Sequence, residues 1–174
     1  VSQGAYVNPT LHVSRAGIWA MQKRKEREGL SAHGQLTLDQ SMREFDTRLD
    51  DCRRLIELGA KVVTGSDSSW GDYELGNTVY ETECLVMAGF SPMDGVLSVT
   101  SKAAAALGID DRVGTLEPGK LADVIVVDGN PKDDIGDLWN VSEVFLGGSR
   151  IDRGSSRSIA TARQWPPAGE REDS

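Results

Sequence analysis

Long apolar runs are missing from this chain. No stretch approaches the roughly 20 apolar residues that a membrane helix requires. The opening, VSQGAYVNPT, has neither the basic region nor the apolar run of a secretory leader. Cysteine is scarce too. Cys52 and Cys84 are the only two, and each falls among the apolar positions of an expected helix. Both are expected as buried free thiols, because free Cys behaves as a small core residue. Histidine is just as rare: His12 and His33 stand far apart, and no His-x-His pair occurs anywhere. Positive charge is in deficit, with 19 Lys and Arg against 27 Asp and Glu and a net charge of −8. That balance disfavours a nucleic-acid partner held through phosphates.

What remains is the composition of a folded domain. Hydrophobic residues make up 39% of the chain and charged residues 26%, within the range of globular proteins. At 174 residues the chain is long enough to bury a core. Val1 stands first, and Ala5, Tyr6 and Val7 read as a strand closed by a turn at Asn8-Pro9. A domain seldom starts inside an element, so the chain is expected to be an excerpt of a longer one.

Along the chain, strand and helix signals alternate. The run from Lys23 to Glu28 is expected on the wet side of a helix or excursion. Thr37 and Gln40 form a capping-box pattern that predicts a helix start. Apolar residues then recur at Met42, Phe45, Leu49, Cys52, Leu55 and Ile56, the spacing of one helical face. Gly59 is the expected stop. Lys61-Val62-Val63-Thr64 reads as a buried strand between Gly59 and Gly65. Thr78 and Glu81 form a second capping-box pattern, with a helix toward Gly89. Ser91-Pro92 restarts a helix, Ser as cap and Pro at the first turn. That helical stretch, with Ala103–Ala106, ends near Gly108. Leu121–Val127 is a strand. Val144-Phe145-Leu146, Gly147-Gly148 and Ser149-Arg150-Ile151 predict a hairpin with a two-residue turn. The tail from Arg153 is polar and expected to be disordered. This order argues for part of a parallel α/β sheet or barrel, followed by a smaller β layer.

Asp67 is the residue with the most chemistry to offer. It lies just past the end of a buried strand, where α/β folds place their active sites. Its neighbours Gly65, Ser66 and Ser68 are small and leave room for a metal or substrate. A carboxylate there can ligate a divalent ion and take a proton from metal-bound water. The competing role is a turn or helix cap, a common task for Asp. Glu117-Pro118-Gly119-Lys120 is no phosphate loop, since the leading glycine spacing and the Ser or Thr after Lys are absent. It reads as a turn, and Asp123 beside it as structural. With no base-like histidine nearby, Ser66, Ser68 and Ser69 make poor nucleophiles.

TGSDSS, and the later run ETECLVMAGFSPMDGVLSVTSKAAAALGIDDRVGTLEPGKLADVIVVDGNP, resemble the C-terminal part of the amidohydrolase superfamily, which includes imidazolonepropionase-like and prolidase-like enzymes. The likeness is carried by an ordered series. Glu81 is followed by Ala88-Gly89, Ser91-Pro92, Thr100, Leu107-Gly108, Gly114 and Leu116-Glu117-Pro118-Gly119-Lys120. Ala122-Asp123 and the Gly147-Gly148 hairpin complete it. Tyr6-Val7-Asn8-Pro9-Thr10-Leu11 is similar to the penultimate barrel strand.

The resemblance implies an α/β fold, the C-terminal part of a (β/α)8 barrel plus part of a small β-sandwich. Residues 1–110 would belong to the barrel, 111–152 to the sandwich and 153–174 to the tail. It implies a metal-dependent hydrolase of carbon–nitrogen bonds, acting on a small amide or cyclic amide. Asp67 would be metal ligand and general base. His12, Ser66, Ser68 and Trp70 are candidates to face substrate from their positions along the chain, the competing reading being an ordinary loop histidine for His12 and simple packing for Trp70. The cofactor would be a divalent metal, zinc by default for such ligands. The other ligands, and most substrate-selecting loops, would come from a missing N-terminal part of the same protein, so the 174 residues alone are expected to be inactive. A cytoplasmic homo-oligomer is implied, with no membrane or nucleic-acid partner. The alternative is a non-catalytic scaffold on the same fold, since fold does not fix function.

Overall fold

A computed structural model describes residues 4–67, 76 and 78–152. The elements run β1 (Tyr6–Val7), α1 (Leu11–Glu28), α2 (Ala32–Glu57), β2 (Lys61–Val62), α3 (Val79–Met87), α4 (Pro92–Val99) and α5 (Ser101–Leu107). Then come β3 (Val124–Val127), a 3₁₀ turn at Ile135–Trp139, β4 (Val141–Leu146) and β5 (Ser149–Arg150). The polar tail expected to be disordered, and Ser68 and Trp70, lie outside the described residues.

β1 and β2 pair in parallel, Tyr6 beside Lys61 and Val7 beside Val62. Their carboxyl ends therefore open on the same side. The paired part of β2 is shorter than the Lys61–Thr64 run. Val63 still donates its N–H to the Val7 carbonyl at 2.9 Å, but Thr64 donates to the Ser98 carbonyl of α4 at 3.1 Å. The chain leaves the sheet there to anchor on a helix.

The helices α1, α2 and α3 cover the strand pair. Leu11 and Ile18 of α1 meet Leu38, Phe45, Leu49 and Cys52 of α2, with Val62, Cys84, Leu85 and Ala88 in one apolar cluster. Cys52 and Cys84 are free and buried, as expected of small core residues. Of the helical stripe read from Met42 to Ile56, Phe45, Leu49 and Cys52 are buried, while Met42 is exposed. The start of α2 lies earlier than the Thr37–Gln40 pattern suggests. Ser31 is the cap, its Oγ accepting from the Gly34 N–H at 3.1 Å. Thr37 lies inside the helix and donates to the His33 carbonyl at 3.0 Å. A Ser one residue before an uninterrupted helical run satisfies the free N–H groups first.

Ser91-Pro92 opens α4 as its sequence demands, with Ser91 Oγ accepting from the Asp94 N–H at 3.1 Å. Gly108 closes α5 at φ +67°, in the left-handed region that Gly enters without a steric cost. Past it, Gly114 (φ +93°) presses its backbone against Ala104 and Ser101. β3, β4 and β5 form an antiparallel sheet in that order. β4 and β5 are joined through Gly147-Gly148, both at positive φ, as the two-residue turn requires. Asp123 accepts from the Gly147 N–H at 2.7 Å and so ties the hairpin to the start of β3. No helix of the described residues is long and apolar enough to cross a membrane.

Candidate functional site

The rim above the carboxyl ends of β1 and β2 carries two non-glycine residues in the left-handed region. Thr10 has φ +48° and Asp67 φ +43°. Asp tolerates that conformation better than most residues, but it still costs free energy, and such residues gather at functional sites. Asp67 thus stands at the place its sequence position suggests, past the end of a parallel strand, with Ser66 half-buried beside it.

Gly65 is small for a different reason from the one its neighbourhood suggests. A Cβ built there would lie 1.8 Å from Asn8 Nδ2 and 2.7 Å from Asn8 Cγ. The space over Gly65 is filled by the Asn8 side chain, reaching across from the end of β1. Thr64, the residue before it, is fixed below: its Oγ1 stands 2.6 Å from Ser98 Oγ, and Ser98 is fully buried.

A buried polar cluster supports the rim, and its centre is α3. Residues Tyr80 to Leu85 are all buried. Glu81, at 0% exposure, is no capping-box partner of Thr78, whose side chain makes no cap bond. Its carboxylate instead accepts from the first two amides of α1, Leu11 N–H at 3.0 Å and His12 N–H at 2.7 Å. Thr10, in its left-handed conformation, provides no side-chain cap for α1, and Glu81 takes over that role from another helix. A carboxylate at a helix N-terminus also meets the positive end of the helix dipole. Burial nevertheless raises the Glu81 pKa above the ordinary carboxylate value; the two backbone hydrogen bonds and the charges of Arg48 and Arg15 pull the other way.

Glu83 is the second buried carboxylate. It pairs with Arg15 of α1 at 3.0 Å, the two being 2% and 1% exposed. Its other oxygen accepts from the Trp139 indole N–H at 2.8 Å. Tyr80 stacks on His12 with ring centres 4.5 Å apart and meets Trp139 edge-on at 4.5 Å. His12, only 4% exposed, therefore packs within the cluster. Burial, aided by the Arg15 charge, lowers its pKa to about 4, so its ring is neutral at neutral pH.

Asn8, Arg15 and Glu83 are the members that sequence reading passed over. A signal was available for Glu83. Glu81 and Glu83 are two apart on a helix, so they point to nearly opposite sides. A helix with carboxylates on opposite sides and an apolar run behind them has no single wet face.

A metal centre needs several converging donors. Asp67 offers carboxylate oxygens, which suit a divalent ion. Among the described residues no group of three or more His, Cys, Asp or Glu side chains is placed to hold one. Glu81 and Glu83 are engaged with α1 amides and with Arg15 and Trp139. Asp67 fits the role of one ligand and does not make a metal site by itself.

Parallel strands whose carboxyl ends carry a strained carboxylate, backed by helices, define an α/β protein with a candidate site at the strand ends. The chain belongs to the amidohydrolase family, whose model matches residues 3–151. It is 40% identical over 78 residues to the imidazolonepropionase of Symbiobacterium thermophilum, covering 43% of this chain and 18% of that protein. It is 29% identical over 111 residues to the imidazolonepropionase of Thermoplasma volcanium, covering 62% of this chain and 27% of that one. Among solved structures, a Xaa-Pro dipeptidase with bound methionine in its active site superposes with a TM-score of 0.67 at 28% identity, covering 87% of this chain and 35% of the other. Molinate hydrolase superposes with a TM-score of 0.55 at 26% identity, covering 70% and 30%. The chain thus spans between 18% and 27% of the length of these curated relatives.

Proposed function

We propose that these residues form the C-terminal part of a hydrolase that cleaves a carbon–nitrogen bond in a small amide, cyclic amide or dipeptide. Residues 1–110 are read as the last part of a (β/α)8 barrel, 111–152 as a β-sandwich segment and 153–174 as a tail. The observation that carries this reading is Asp67, held in a left-handed conformation past the carboxyl end of a parallel strand, inside a family match of 149 residues (3–151).

In the proposed reaction the Asp67 carboxylate accepts a proton from the attacking water. The water oxygen bonds to the amide carbon, the carbon–nitrogen bond breaks, and the proton passes to the leaving nitrogen. A divalent metal, zinc in this reading, would lower the pKa of the water. Most of its ligands belong to an N-terminal part of the same protein, so the 174 residues alone are read as inactive. Ser66, Ser68 and Trp70 are assigned to the wall facing substrate. His12, packed under Tyr80, is assigned to the support beneath. The complete protein is read as a cytoplasmic homo-oligomer, with no nucleic-acid or membrane partner.

The test joins this chain to its upstream sequence and measures hydrolysis of an Xaa-Pro dipeptide and of imidazolonepropionate, together with metal content. Asp67→Asn should lower kcat by roughly 100-fold or more, the weight of a lost general base. Unchanged turnover and metal content would sink the assignment.

A further inference from the structure

We propose that Asn8 contacts substrate in the site that contains Asp67, donating from its side-chain amide to an oxygen acceptor of the scissile amide or its neighbour. The assignment rests on the hydrolase reading above and adds a residue to it.

Three observations converge on Asn8. Its amide occupies the volume that a side chain at Gly65 would fill, so it lies over the segment that follows β2, at a residue two positions before Asp67 in the chain. It is exposed, yet its place over Gly65 gives it a definite direction. The backbone after it is fixed: Arg48 donates to the Pro9 carbonyl at 3.2 Å, and Glu81 holds the Leu11 and His12 amides. A polar group with restrained backbone, open to solvent and facing the same rim as the candidate base, is arranged as binding sites require.

The chemistry of the group suits an amide substrate. A side-chain amide has N–H donors in the plane of its group, so it can donate to the carbonyl oxygen of a planar amide, a cyclic amide or an Xaa-Pro bond, the last of which has no N–H of its own. The side chain is neutral, so it leaves the charge balance at Asp67 unaltered. Gly65 is then a device for seating Asn8, which explains why the smallest residue stands at that position although its φ is outside the left-handed region.

The experiment uses the complete protein and compares Asn8→Ala, Gly65→Ala, the double variant and Asp67→Asn on an Xaa-Pro dipeptide and on imidazolonepropionate. Asn8→Ala should raise KM roughly 3- to 20-fold, the weight of one substrate hydrogen bond, with kcat changed less. Gly65→Ala should do the same, because its Cβ displaces the Asn8 amide. An exposed side chain can swing aside, so the melting temperature should move by less than about 2 °C, as for an ordinary surface change. The double variant should match either single one, since both remove the same contact. An unchanged KM in Asn8→Ala, with Asp67→Asn still inactive, overturns the role of Asn8 and leaves the hydrolase reading standing. A KM raised by Gly65→Ala but not by Asn8→Ala overturns it as well. Activity retained in Asp67→Asn, or no turnover of either substrate, overturns the hydrolase reading and the Asn8 assignment with it.

Discussion

Glu81→Gln removes one negative charge and almost no volume, and the geometry makes it a severe change. Each oxygen of the Glu81 carboxylate accepts one buried amide, Leu11 N–H at 3.0 Å and His12 N–H at 2.7 Å. A glutamine has one acceptor oxygen. Its NH2 group would face the remaining N–H, donor against donor, with no water to intervene at a position of 0% exposure. Losing a hydrogen bond to a charged group costs about 1.5–3 kcal/mol, and leaving a buried donor unsatisfied about 1–3 kcal/mol. The raised pKa of Glu81 works against this, because burial already disfavours its charge. A net loss of about 3 kcal/mol follows, lowering the melting temperature by roughly 6–12 °C for a chain of this size. Thermal unfolding followed by far-ultraviolet circular dichroism at pH 7 reads the shift. Amide exchange adds the location: the Leu11 and His12 amides should lose protection first. A shift below about 2 °C, or no change at those two amides, would refute the idea that Glu81 caps α1.

Other consequences can be measured on the same chain. His12 binds its proton with a pKa of about 4 in the fold against 6.5 for the ordinary group. Below pH 6.5 the unfolded chain therefore binds the proton first, and stability present above that pH is lost as pH falls toward 4, by up to about 3 kcal/mol. His12→Phe keeps a ring on Tyr80 and should flatten the acid limb of stability against pH; an identical limb in the variant would count against it. Glu81 contributes with opposite sign, since a raised carboxylate pKa favours the fold as pH falls, so the comparison must be made with Glu81 intact. Arg15→Met strands Glu83 and should cost about 3–5 kcal/mol, as expected when one partner of a buried pair is removed, read by urea unfolding; a loss under 1 kcal/mol would contradict the buried pair. Gly114→Ala places a Cβ 2.7 Å from Ala104 Cβ at φ +93° and should cost about 2–4 kcal/mol by combined crowding and backbone strain. A melting temperature equal to the parent's would show that the Gly114 turn packs differently.

The sequence was legible where a feature depends on its neighbours in the chain. Ser91-Pro92, Gly59, Gly108 and the Gly147-Gly148 hairpin act within a few residues, and the structure has them as their patterns indicate. The two capping-box patterns failed for one shared reason. A pattern of Thr with Gln or Glu three residues on states what could bond locally, and each time a better partner was taken. At α2, Ser31 lies ahead of Thr37. At α3, Glu81 turns to amides 69 and 70 residues away. The strand-end location of Asp67 could be read, because strand, glycine and small residues adjoin it. Asn8 over Gly65 could not, because nothing local to either residue announces the other.

The tie from Arg15 through Glu83 to Trp139 also has a kinetic consequence. It joins the first helix, the central helix and the turn that precedes β4, segments far apart in the chain. Contacts of long sequence separation form late, after the entropy of closing the intervening chain has been met. The indole of Trp139 should therefore reach its final environment only once α1 and α3 have docked. In a variant that keeps Trp139 as its sole tryptophan, with Trp19, Trp70 and Trp165 replaced, the indole fluorescence should reach its final value after the far-ultraviolet circular dichroism of the helices.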